Sequence, residues 1–171
     1  MYELREYQKV VNEHTIEHCK KSSDPAYVSC SVGGGKTVLI ASICNHVSKK
    51  GGKVLVLARQ GELIKQGAET AWECGIKNSI YSASLNKKST FYPVIFGTEG
   101  TVCRALDSEF KSMIFSAILI DEAHMVSTSD VLLSEPESQY GKIIKHFKNL
   151  NKNLRIIGYT GSPYRGKESI Q

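Results

Sequence analysis

The sequence lacks any long hydrophobic run. Its two longest nearly uninterrupted apolar stretches, residues 38–44 and 114–120, fall far short of the roughly 20 residues a membrane helix needs. The first eleven residues, MYELREYQKVV, hold no apolar core and carry Glu3 and Glu6, so neither a secretory nor a transit peptide is expected and the expected compartment is the cytoplasm. Five cysteines (Cys19, Cys30, Cys44, Cys74 and Cys103) form no CxxC pair and are odd in number. That pattern excludes a disulfide framework or zinc knuckle as the organising principle and predicts reduced thiols, mostly in the core. Only 4 prolines and 1 tryptophan are present, with no repeat or low-complexity tract, so no linker divides the chain. Acidic excess is missing too: 22 Lys and Arg stand against 17 Asp and Glu, a net +5, which permits a polyanionic partner without demanding one.

What is there fits one ordinary domain. A length of 171 residues matches the usual domain size of roughly 100–150 residues with room for active-site loops, and 41% hydrophobic with 23% charged residues suits a globular core. Charge is segregated. Residues 121–137 hold five acids and no Lys or Arg, while residues 142–168 hold seven basic residues and one acid.

Hydrophobic periodicity predicts alternating elements. An opening helix is expected to bury the stripe Leu4, Tyr7, Val11 and Ile16, ending at Ser22 to Pro25. Strands are predicted over 26–30, 53–58, 79–83, 92–98, 117–120 and 154–159, and helices over 37–49, 62–73, 101–106 and 138–147. Residues 86–90, with Lys87 and Lys88, read as a loop, and Trp72 as a core residue of its helix. Strand and helix alternate almost throughout, which predicts an α/β fold: a three-layer parallel sheet with helices on both faces. Ligands in such folds sit beyond the carboxyl ends of the strands.

The chemistry-bearing segments fall at those ends. Residues 31–37 read SVGGGKT, after a strand and opening a helix, the context a phosphate-binding loop requires. Val32, Gly33, Gly34 and Gly35 would turn backbone N–H groups around a triphosphate, Lys36 would reach the β- and γ-phosphates, and the Thr37 hydroxyl would hold Mg2+. The strict pattern fails at one point, where Cys30 occupies the first glycine position. Ile118, Leu119 and Ile120 lead into Asp121 and Glu122, an apolar strand ending in two acids. Asp121 would hold Mg2+, and Glu122 would orient and deprotonate the attacking water. The plain alternative for each, a glycine-rich turn and an acidic helix cap, weakens when both occur together.

With Ala123 and His124, these acids spell DEAH, and the chain resembles the N-terminal ATPase (RecA-like) lobe of superfamily 2 DEAD/DEAH-type helicases from Leu4 to Arg165. Leu4-Arg5-Glu6-Tyr7-Gln8 is similar to the adenine-reading segment of that family, which implies that Arg5 and Gln8 serve the base. A small residue such as Cys30 is common in the family at the start of its phosphate loop. Residues 55–66 resemble motif Ia, with Gly61 intruding, and Phe96-Gly97-Thr98 with Thr101 resemble motif Ib. The resemblance therefore implies nucleic-acid contacts from Arg59, Gly61, Thr98 and Arg104. Residues 160–165 (TGSPYR) resemble motif III, implying that Thr160, Gly161 and Ser162, with His124, couple ATP to nucleic acid. Within the superfamily, residues 137–140 and 154–165 look most like RadD-type bacterial DNA repair helicases, which implies DNA, single-stranded or forked, as the partner.

Other patterns lead elsewhere. His14-Thr15-Ile16-Glu17-His18 matches HxxEH, the inverted zinc-protease signature, yet it has no identifiable third ligand and shares a helix with Gln8, so zinc is not expected. Asn151-Lys152-Asn153-Leu154 has leucine where a guanine-reading NKxD needs its acid. The resemblance implies ATP and Mg2+ as cofactors and a motor of two lobes, of which residues 1–171 are expected to form the first. Motifs IV to VI, with the arginine finger, do not occur, so the chain alone is expected to hydrolyse ATP poorly. Two function classes follow: the ATPase lobe of a DNA motor, or a stand-alone module that binds nucleotide or DNA without working as one.

Overall fold

The computed structural model describes residues 3–30, 35–122 and 138–161, together with the backbone of 164–165 and 168–169. In chain order the elements are α1 (Glu6–Lys21), β1 (Ala26–Ser29), α2 (Lys36–Lys49), β2 (Val54–Ala58), α3 (Gly61–Glu73), β3 (Ser79–Ser82), β4 (Lys87–Lys88) and β5 (Val94–Thr98). They continue through α4 (Glu99–Arg104), β6 (Ala117–Asp121), α5 (Gln139–Leu150) and β7 (Arg155–Thr160) to a small pair, β8 (Tyr164–Arg165) and β9 (Glu168–Ser169).

Seven strands form one sheet in the order β1-β7-β6-β2-β5-β3-β4. Six run parallel, and the seventh, β4, pairs antiparallel with β3. The sheet is therefore mixed, and the expected loop at 86–90 contains a short edge strand. Asn86, at φ 54°, supplies the left-handed turn that reverses the chain, a conformation asparagine tolerates better than most residues. Two lysines then occupy the exposed edge, where they discourage pairing with another strand.

Successive strand residues point to opposite faces, and the core divides accordingly. Val54, Val56 and Ala58 of β2, with Ala117 and Leu119 of β6, pack under α2 and α3. Leu55 and Leu57, with Ile118 and Ile120, pack under α5 and the 105–115 segment. The second face is closed by Phe110, Phe115 and Phe147, the last two edge-to-face with centroids 4.9 Å apart. Both faces of the central strands are apolar because both are covered, which is why these segments read as continuous hydrophobic runs rather than alternating ones.

Two sequence expectations about helices fail. On α1 the buried residues are Gln8, Asn12 and Thr15, while Tyr7 is 43% exposed. Tyr7 lies about 100° around the helix from Gln8, so both cannot face inward, and Val11 and Ile16 reach the core only in part. The Thr15 hydroxyl bonds back to the Val11 carbonyl at 2.8 Å, which satisfies it in its buried position. On α3 the inward face is Ile64, Gly67, Ala68 and Ala71. Gly67 lets the helix press on Phe96, since an added Cβ would lie 2.9 Å from that ring. Trp72, one step round, is turned out, 53% exposed, and meets Tyr92 edge-to-face with centroids 6.1 Å apart.

Candidate nucleotide site

Parallel register aligns the carboxyl ends of the strands in a row: Ser29 lies opposite Thr160, Asp121 opposite Tyr159, and Ala58 opposite Thr98. At the β1-β7-β6 end of this row the backbone of Gly35 adopts φ 74° as the N-cap of α2. Glycine is needed there both for the left-handed conformation and for space, because an added Cβ would collide with the Gln8 amide nitrogen. The Gln8 carbonyl oxygen accepts a hydrogen bond of 2.8 Å from the Arg5 backbone N–H. These contacts bring the start of α1 against the first turn of α2.

Lys36, the first residue of α2, sends its amine to the end of β6. Its Nζ lies 2.9 Å from Asp121 Oδ1 and also pairs with Glu122 Oε1. The three residues are largely shielded, with side-chain exposures of 20% for Lys36, 5% for Asp121 and 32% for Glu122. Burial alone would lower the Lys36 pKa, but the hydrogen bonds it donates to Glu122 and Asp121, and their negative charges, outweigh it and hold the amine above its ordinary 10.5. Glu122 sits at φ 55°, an uncommon conformation for a side chain of its kind that costs on the order of 1–2 kcal/mol. Its N–H bonds to Asp121 Oδ1 at 2.9 Å. A strained residue held against a buried cation belongs to the class of outliers that mark functional sites. Thr37 follows Lys36 in the first turn of α2.

Thr160 and Gly161 stand beside the beginning of the glycine loop. Thr160 is buried, and its carbonyl accepts the Cys30 N–H at 2.9 Å. Val32, Gly33 and Gly34 of that loop, and His124 and Ser162, lie outside the described residues.

The other half of the row differs. Arg59, just past β2, is half exposed and pairs with Glu99 at 3.0 Å, Glu99 being the nearly buried first residue of α4. The side chain of Thr98, expected among the nucleic-acid contacts, faces inward. It is buried, with its hydroxyl 3.2 Å from Ser82 Oγ and 2.9 Å from Thr101 Oγ1, which in turn accepts the Ala83 N–H. Gly61 opens α3, where an added Cβ would strike Ser84 Oγ; it allows a close approach of the 83–86 turn. Arg104 is exposed at the end of α4. Glu99 went unnoticed in the sequence, although an acid directly after a strand and a threonine is a readable helix-start signal. Tyr140, the first buried residue of α5, was also missed. Burial pushes its hydroxyl pKa up, the negative charges of Glu99 and Asp121 add to the rise, and the Arg59 charge opposes it.

For the expected non-site at 14–18, His14 is exposed and the His18 Nε2 meets the Asp24 carbonyl oxygen at 2.8 Å.

Residues 1–165 match the family described as type III restriction enzyme, res subunit. Among curated protein sequences none matches this one. Among solved structures, the Pyrococcus furiosus Hef helicase domain is similar, with a TM-score of 0.72 and 27% identity over 94% of this chain and 33% of that one. The UvsW helicase of bacteriophage T4 shares the fold, with a TM-score of 0.70 and 18% identity over 95% of this chain and 54% of that one. So does the type ISP restriction-modification enzyme LlaGI, solved as a nuclease-deletion mutant with a DNA substrate mimic, with a TM-score of 0.65 and 20% identity over 95% of this chain and 18% of that one. This chain thus spans between about a fifth and about a half of these three solved chains. The fold is that of a RecA-like helicase lobe.

Proposed function

Because the chain belongs to the type III restriction enzyme res-subunit family, we propose that residues 1–171 form a single ATP-binding lobe of a superfamily 2 DNA helicase or translocase. The observation that carries this is the meeting of Lys36 with Asp121 and Glu122, 85 and 86 positions away in sequence, at the carboxyl end of the sheet. An amine held above its ordinary pKa stays charged, and a triphosphate would take over its hydrogen bonds from the two carboxylates. The N–H groups at the start of α2 add partial positive charge in the same direction.

The donor set fits Mg2+: the Asp121 carboxylate and the Thr37 hydroxyl offer the hard oxygen ligands that ion prefers. When bound, Mg2+ offsets charge on the phosphate oxygens. Glu122, freed from Lys36, is then the base that orients a water and takes its proton, and Gln8 and Arg5 serve the adenine. Thr160, Gly161, Ser162 and His124 would couple this site to nucleic acid. Of the expected DNA contacts, Arg59, Gly61 and Arg104 remain on the exposed rim, with Thr98 supporting them from within. The RadD-type resemblance, and the DNA bound in similar solved type ISP restriction-modification enzymes, support DNA as the substrate.

Movement along DNA would require a second lobe, whose arginine finger is worth roughly 10³–10⁵ in rate. Titration of a fluorescent ATP analogue with Mg2+ tests the site: the native chain binds and Lys36→Ala does not, while equal affinity of the two would refute the loop assignment. Phosphate release measured with and without single-stranded DNA tests the need for a partner lobe. Slow, DNA-insensitive turnover is expected, and brisk stimulated turnover by this chain alone would overturn it.

A further inference from the structure

At the opposite, amino end of the sheet lies a cavity of about 380 Å³ between the last turns of α1 and α2 and the starts of β6 and β7, within the size range of small-molecule sites. Its floor is apolar: Ile43, Ala117 and Ile157 are buried, with Ile16 and Val47 partly buried at the walls. Its rim is cationic. Lys20 comes from α1, His46 from α2, Lys50 from the turn after it and Arg155 from β7, and none of the residues lining the cavity is acidic.

Helix carboxyl ends attract cations one at a time, yet that does not account for four converging from three elements without a counter-charge. Arg155 donates from Nε to the Cys19 carbonyl at 2.7 Å and from Nη1 to the Asn153 carbonyl at 2.8 Å; both acceptors are neutral. Asp24 acts on Lys148 of α5, and neither is among the described residues lining the cavity. The charges that act on His46 are those of Lys50 and Lys20. Its pKa lies below the ordinary 6.5 because of burial and the charges of Lys50 and Lys20. The rim would gain from an anion, and the floor from hydrocarbon.

We propose that this pocket binds a small organic anion, an apolar body of at most the cavity volume bearing one carboxylate or phosphate that meets Lys20, Lys50 and Arg155. Gly51, at φ 83°, turns the chain at the end of α2, and Lys50 and Ser116, both exposed, line the cavity at its mouth. The pocket is at the far end of the strands from Lys36, so occupancy is independent of the nucleotide.

Anilinonaphthalene sulfonate is the probe: an apolar fluorophore with one anionic group. Its fluorescence titration is expected to show a site that persists with saturating Mg-ATP and in Lys36→Ala, and whose affinity falls about tenfold or more in Lys20→Glu/Lys50→Glu. Both lysines are exposed, so the double variant should melt like the native chain. Ser116→Trp, which fills the mouth and keeps every charge, is expected to lose the site as well. On binding, the His46 ring resonances should titrate at higher pH by NMR. Octanoate and octyl phosphate should displace the probe while octanol does not, and the better of the two identifies the head group. Equal affinity in the charge-reversed variant, unmoved His46 resonances, or displacement by octanol as readily as by the anions would overturn the proposal.

Discussion

The two ends of the sheet treat charge in opposite ways. At the carboxyl end, Lys36 is matched by Asp121 and Glu122, and Arg59 by Glu99; at the amino end, Lys20, His46, Lys50 and Arg155 face one another without an acid among the lining residues. Burial presses down on the pKa of Lys36 at one end and of His46 at the other. Only at the carboxyl end do carboxylates reverse it, so Lys36 rises and His46 falls. Matched charges form a site already assembled, whose pairs can be exchanged for those of a substrate. Unmatched ones are a standing cost that a ligand of opposite sign can relieve.

The largest test of the contrast lies within the matched triad. Glu122→Gln keeps Asp121 as a partner for Lys36, so Mg-ATP affinity should change little. Removing the base should lower residual turnover by about 10²–10⁴-fold, the usual worth of general base catalysis. Single-turnover hydrolysis beside a binding titration separates the two, and parallel loss of both would mean that Glu122 holds the nucleotide rather than the water.

A smaller effect is expected at the second matched pair. Arg59→Ala leaves the nearly buried Glu99 without its partner and should cost about 1–2 kcal/mol in urea denaturation, reduced by the half exposure of Arg59. Thr98→Val removes a hydroxyl from the Ser82 and Thr101 cluster and should cost about 1 kcal/mol. The two should separate in DNA binding. Arg59→Ala and Arg104→Ala are expected to weaken single-stranded DNA binding and to reduce its salt dependence by about one phosphate contact each, whereas Thr98→Val leaves both unchanged. A Thr98 variant with a reduced salt dependence would return that residue to the contact surface.

The central strands and the Lys36, Asp121 and Glu122 cluster could be read in the sequence because their signals are local: an apolar run ending in Asp121-Glu122, and a glycine run ending in Lys36-Thr37. What could not be read depended on which side of an element was already taken. The α1 stripe was misplaced because counting apolar residues favours Tyr7, while the space available beside Gly35 favours Gln8, and Asn12 follows it inward with neither amide atom finding a partner among the described residues. Trp72 looked like core because tryptophan is large and apolar, but α3 meets the Phe96 ring through Gly67 and Ala71, and closeness requires small residues there. The Lys87–Lys88 strand had no apolar signal at all; pairing with β3 alone defines it. The cationic rim at the amino end was illegible for the same reason, since its members come from three separate stretches and only the fold brings them together.

The smallest expected effect is a pH dependence that distinguishes the two ends. His46 binds a proton less readily in the folded chain than in the unfolded one, because burial, Lys50 and Lys20 oppose its charge. Its contribution to stability is therefore complete above the ordinary value of 6.5 and is lost as pH falls through the lower folded value. Lys36 has the opposite sign: its contribution is complete below 10.5 and is lost only as pH rises through a folded value above that. Between pH 7 and pH 5, then, the unmatched end should respond and the Lys36 amine should not. Urea midpoints across that range should decline less steeply in His46→Gln than in the native chain, and Lys20→Ala or Lys50→Ala should also make the decline shallower and complete at higher pH, because relieving repulsion brings the folded value of His46 back toward 6.5. An unchanged slope in His46→Gln would mean that the amino-end cations are far enough apart to ignore one another, and the contrast between the two ends would fail at its weaker side.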